Sequence, residues 1–211
     1  MRHDIDRRIH KAVDFAHIEH DLGIRATYYF RHPYTFKPAV IQKIGDMGHE
    51  IGYHYEVMSK ADGDPVYAKE LFQKEIDDFR TYVPVKTVCM HGAPLSKFDN
   101  RNFWDYHSFE EFDLSGEAYL SMNDVYYYSD TGRNWSNAHK IRDSLKNQLN
   151  SSLDDVKSTP DLIRSIERNK PHVAYILTHP ERWAGSPGEW LYLWGMDSAV
   201  NIVKKPLGYF R

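Results

Sequence analysis

Cysteine is almost missing from this chain: Cys89 stands alone among 211 residues. That excludes an internal disulfide framework and suits a reducing compartment. Long apolar runs are missing too. No stretch approaches the 18 residues of a membrane span, and the N-terminus enters a polar motif at once instead of a signal peptide. The expectation is a cytoplasmic protein, in which the Asn-x-Ser sites at Asn134 and Asn150 are incidental because glycosylation needs a secretory route. A strong charge of either sign is absent as well. The formal net charge is -3, and no block of five or more like charges occurs, so nothing invites nucleic acid. There is no internal repeat, low-complexity tract or linker, and 1–211 reads as one domain.

Histidine and the aromatics are present in quantity, with 12 His, 15 Tyr and 5 Trp. Such residues line polar, sugar-sized clefts, though a wet Tyr-rich surface has the same composition. Along the chain, Ile9, Ala12, Val13 and Ala16 form one helical stripe that Gly23 stops, and 25–30 reads as a strand. A second stripe, Val40, Ile44 and Met47, closes at Gly48, and 50–55 returns to extended chain. Ala68, Phe72, Ile76, Phe79 and Val83 give the clearest helical period, which Pro84 ends before an apolar strand at 85–90. The order βαβαβαβ argues a parallel sheet or barrel, whose active site lies past the C-terminal strand ends.

The middle is less regular. Segment 99–114, aromatic and acidic, reads as a loop over the site; 117–122 and 125–128 read as short strands; 131–158 reads as a polar insertion or a weak helix. Thr159-Pro160-Asp161 has the form of a helix start, with a cap, an early Pro and an acid in the first turn. Val173 to Leu177 is a buried strand, and a closing helix from about 188 carries Trp190, Leu191, Trp194, Ile202 and Val203.

The polar residues just past the strands are therefore the ones to examine. On extended chain Asp4 and Asp6 project to one face, with Ile5 turned into the core. Two carboxylates on one face repel unless a cation neutralises one or one serves as a general base. With only Met1 to His3 before Asp4, the first strand is expected to be short and frayed, unless the chain begins later than its relatives do. His54, His91 and His179 end three other strands. Carboxylate plus imidazole suits Zn and also Fe, Co or Mn. His54 and Glu56 share a face and His49 takes the other, so His49 reads as structural.

Arg-His-Asp-Ile-Asp at the start, Gly-His-Glu-Ile-Gly-Tyr-His-Tyr-Glu at 48–56, His-Gly-Ala-Pro at 91–94, Tyr-Ser-Asp at 128–130 and Leu-Thr-His-Pro at 177–180 resemble, in order, the five motifs of NodB-like polysaccharide deacetylases. These are carbohydrate esterase family 4, and the likeness is closer to a divergent WbmS-like branch associated with surface-polysaccharide biosynthesis. The resemblance implies a distorted (β/α) barrel of about seven strands, holding one divalent ion and removing an N-acetyl group from a sugar or nucleotide sugar. It implies Zn foremost, with Co, Mn, Fe or Ni as alternatives. By the same likeness Asp4 is the general base, Asp6 and His54 bind metal, His179 is the general acid and Asp130 orients it, while Trp135 walls the site. Met58 stands where the family's second metal histidine belongs, and His91 stands where its third motif has arginine. The third metal contact is then His91 or Glu56; His91 is the choice, which leaves Glu56 to the substrate. Met58 and the missing arginine also motivate a rival reading, a glycan-binding or assembly protein with a degenerate site. A hydrolase of a non-sugar amide or ester would use the same residues.

Overall fold

The computed structural model describes residues 1–136, 142–149, 156–196 and 198. Its strands are β1 (Arg2–Ile5), β2 (Thr27–Phe30), β3 (Glu50–Tyr55), β4 (Thr87–Met90), β5 (Gly116–Glu117), β6 (Tyr126–Ser129) and β7 (Ala174–Thr178). Helices α1 (His10–Asp21), α2 (Pro38–Asp46), α3 (Val57–Lys60), α4 (Pro65–Arg80) and α5 (Thr159–Asn169) lie between them. All ladders are parallel and the order is β5-β4-β3-β2-β1-β7-β6. This is the distorted seven-stranded (β/α) barrel that the family resemblance implies, and one of the two forms, parallel sheet or barrel, that the alternation of patterns allows.

β1 is an interior strand, paired to β2 on one side and β7 on the other, and all four of its residues are buried. It is not frayed. Its inward register sets Asp4 beside Tyr29 of β2, while His3 bonds Thr178 Oγ1 at 2.7 Å and Glu19 of α1 at 2.9 Å on the opposite face.

The helices follow the sequence stripes. α1 buries Ala12 and Ala16 and ends before Gly23, whose φ of +69° is open to glycine without strain. α4 starts at Asp64, whose carboxylate accepts from the Val66 and Tyr67 amides, and buries Ala68, Phe72, Ile76 and Phe79. Each buried phenylalanine of this kind is worth about 1.5–3 kcal/mol of transfer free energy.

Two further expectations change. The segment 99–114 is not a loop over the site; its 3-10 turns at Asn100–Asp105 and Glu110–Phe112 carry Phe103 and Phe112 into the core, Phe103 stacked on Phe72 and Phe112 edge-on to it. Strand 117–122 stops at Glu117, because that carboxylate accepts the amides of Met90, Tyr119 and Leu120 and turns the chain. Residues 187–196 are helical as expected, with Leu193 buried and Trp190, Leu191 and Trp194 exposed, whereas Ile202 and Val203 lie outside the described residues.

Between edge strands β5 and β6 no ladder runs among the described residues. Segment 142–149 fills that gap. It bridges β6 through Val125 and Gln148, and Asp143 accepts hydroxyls from Tyr119 (3.0 Å), Tyr127 and Ser129.

Candidate metal centre

One pocket opens at the C-terminal ends of the strands, and Asp4, Asp6, His54, His91 and His179 all line it. Asp4 comes from β1 itself and Asp6 from the turn after it; His54 from β3; His91 and His179 from the first positions past β4 and β7.

The three imidazoles are arranged alike. His54 turns Nδ1 to the Cys89 carbonyl at 2.9 Å and Nε2 toward Asp6 Oδ1 at 3.4 Å. His91 sets Nδ1 against Glu56 at 2.8 Å and Nε2 3.7 Å from the same Asp6 oxygen. His179 sets Nδ1 against Asp130 at 2.5 Å and Nε2 4.0 Å from Asp6 Oδ2. Asp6 is thus ringed by nitrogen atoms, and these imidazoles outweigh burial in holding its carboxyl well below the ordinary range. Yet its Oδ1 is buried without a hydrogen bond among the described residues. An unsatisfied buried carboxylate oxygen facing two imidazole nitrogens is a donor set that fits a divalent cation.

A second set, Asp4, His54 and Cys89, is the group among the described residues whose ligand atoms all lie within 4.8 Å of one another. Its donors are already engaged. Both Asp4 oxygens accept from the Arg2 guanidinium at 2.9 Å, and burial pushes the Cys89 thiol well up, so it stays protonated. The Asp6 set is therefore the better cation site.

Asp4 is buried, and burial raises its pKa, but Arg2 and then His54 outweigh that and keep it ionised. Asp130 accepts the His179 amide as well as its ring, and also the Trp183 indole at 3.2 Å. Burial and the Arg182 guanidinium oppose the His179 imidazolium; the Asp130 carboxylate prevails and raises that pKa. Next to them Glu181 is 1% exposed, and burial together with Asp6 raises it to about 7.

The remaining sequence expectations fall elsewhere. Met58 is a core residue of α3 and does not line the pocket. Trp135 lies outside the pocket lining as well, packed with Tyr128, Val156 and Leu162, its indole near Thr159. Glu56 stands behind His91, bound to Arg31, and is not in the lining either. His49 faces α1, with Nε2 against the Ala16 carbonyl, as a structural histidine does.

Sequence reasoning missed Arg2, Tyr119, Arg142, Asp143 and Arg182. Arg2 lies under Asp4, and the other four line the pocket. The signal for Arg2 was present, since residues two apart on a strand share a face. Arg142 and Asp143 gave none: their meaning is a long-range closure. Arg142 donates to the carbonyls of Gly92, Ala93 and Ser96 and so ties segment 142–149 to the loop after β4.

No family model matches the chain, and no curated protein matches it. Among solved structures it is similar to a CE4 family pseudoenzyme from Bacillus anthracis, with a TM-score of 0.50 and 13% identity over 94% of this chain and 59% of that one. It is similar also to a mutant of that pseudoenzyme with restored enzymatic activity, at the same score and identity, over 94% and 61%. The chain spans about three fifths of the length of these proteins. At such identity the likeness shows the fold: the barrel is of the CE4 type.

Proposed function

We propose that the chain is a metal-dependent amidohydrolase that removes an N-acyl group, acetyl foremost, from a sugar or nucleotide sugar in surface-polysaccharide assembly. It would act in the cytoplasm, with 1–211 as its catalytic domain. The observation that carries the reading is the convergence of imidazole Nε2 atoms on the unbonded Oδ1 of Asp6. Asp6, His54 and His91 would hold one divalent ion, Zn by preference and otherwise Co, Mn, Fe or Ni, which when bound acidifies water and polarises the acyl carbonyl.

The chain's own residues account for the protons. Asp4, kept ionised by Arg2, faces the same pocket and accepts the proton of the attacking water. His179, whose pKa Asp130 raises, gives one to the departing amine, which is otherwise too basic to leave. Asp130 fixes that ring by holding both its Nδ1 and its backbone amide.

A second reading is a glycan-binding protein on the same barrel with no catalysis. The observation favouring it is that Arg2 already occupies both oxygens of the proposed base. Elemental analysis of wild type and His54→Ala, purified without chelator, separates the two. About one equivalent of transition metal, lost in the variant, supports the site. Acetate release from a panel of acetylated sugars and nucleotide sugars then supports the activity. Protein that stays metal-free in excess Zn, Co or Mn and binds glycan regardless of Asp4→Asn would overturn it.

A further inference from the structure

We infer that Glu56 is a positioning residue: held by Arg31, it fixes the ring of His91 so that Nε2 is offered to the cation beside Asp6. The inference rests on the metal site of the proposed function and assigns Glu56 away from substrate.

The geometry leaves Glu56 little other use. Its two oxygens lie 3.0 and 2.9 Å from Arg31 Nη2, and Oε2 is also 2.8 Å from His91 Nδ1. Its side chain is 8% exposed and does not line the pocket. A carboxylate clasped on both oxygens by Arg31 only accepts hydrogen bonds, so the neutral His91 ring carries its proton on Nδ1. Its Nε2 lone pair is then free and faces Asp6 at 3.7 Å.

The same need explains why this ring requires an anchor. His54 rides on β3, with its Nδ1 on a backbone carbonyl. His91 heads the loop after β4, where Ala93 already adopts a φ of +35°. Its backbone is fixed by the Tyr55 carbonyl at 2.7 Å and by Asn100 at 2.8 Å, but its ring is fixed by Glu56. Arg31 lies 4.5 Å from the Tyr34 ring, so the chain of supports runs Tyr34, Arg31, Glu56, His91. Met58, two residues on from Glu56, points into the core. The strand-end acid thus secures a histidine from the neighbouring strand, which supplies the contact that Met58 does not.

The test compares Zn affinity by calorimetry and the visible spectrum of the Co(II)-loaded full chain in wild type, Glu56→Ala and Glu56→Gln. The expected result is a fall of about 10–100-fold in affinity for both variants, with an altered Co(II) spectrum. Glu75→Gln, which breaks the nearby Lys60–Glu75 pair without touching His91, should lower the melting temperature and leave Zn affinity unchanged. In parallel, nitrogen NMR of the metal-free chain, raised to a pH where the ring is neutral, should find the His91 proton on Nδ1. Wild-type metal binding that both Glu56 variants retain in full, with the same spectrum, overturns the inference while the proposed function stands. Wild type that binds no metal sinks the proposed function instead, and the tautomer decides alone: a proton on Nδ1 supports the anchor and one on Nε2 overturns it.

Discussion

Arg2 and Asp4 show how much of this site depends on charges the solvent never sees. The side chains are 1% and 3% exposed and bond through two parallel contacts. Removing one partner leaves the other buried and uncompensated. Arg2→Met is therefore expected to cost about 3–5 kcal/mol in urea unfolding, with part recovered in Arg2→Met/Asp4→Asn. His179 makes a prediction in pH. Its folded value lies above the ordinary 6.5, so its contribution to stability is complete below 6.5 and is lost as pH rises through the folded value. Under the proposed function the acid form should persist above 6.5. Asp130→Asn removes the group that raises it, so the basic limb of the rate profile should move to lower pH. Asp4, Asp6, His54, His91 and His179 were legible because each falls at or just past a strand end. Arg2 and Glu56 were not given their places, because what they do depends on which ring or carboxylate lies across from them.

Helices and strands with a full period were read from sequence with boundaries displaced by a few residues. At α5 the cap is Ser158, one position before the expected Thr159, and it exchanges bonds with Asp161 in a capping box. Ser158→Ala should cost about 1 kcal/mol, seen as a lower urea midpoint with an unchanged slope. α3 was missed since four residues cannot display a period. In β3, Gly52 is required by contact: a Cβ there would lie 2.2 Å from the Tyr29 ring and 3.0 Å from the Thr87 carbonyl. Gly52→Ala should destabilise by about 1–3 kcal/mol through overpacking between β2 and β4. Thermal unfolding of the purified variant checks it. The short β5 has its reason in Glu117, whose carboxylate competes for amides that a longer strand would have needed.

For the molecule as a whole, a parallel sheet or barrel followed from alternating strand and helix patterns and the barrel from the family motifs, whereas barrel closure followed from neither. Closure depends on residues 142–149, a polar stretch whose partners lie on β6, after β5 and after β4. A cation bound only by the folded barrel should add about 2.7 kcal/mol at 100 times its dissociation constant, so Zn should raise the melting temperature of wild type and leave Asp6→Asn where it was. The seam at Asp143 is expected to open more readily than the inner strands. Amides of β1, β2 and β3 lie between neighbouring strands on both sides and exchange with deuterium only when much of the sheet opens. Along the seam, the Tyr119 hydroxyl on Asp143 and the Arg142 guanidinium hold 142–149 to the β4 and β5 side, and releasing them opens the wall with every ladder intact. Deuterium should enter β5, β6 and 142–149 first, and the wall beside the pocket is then the part that yields while the imidazoles stay in place.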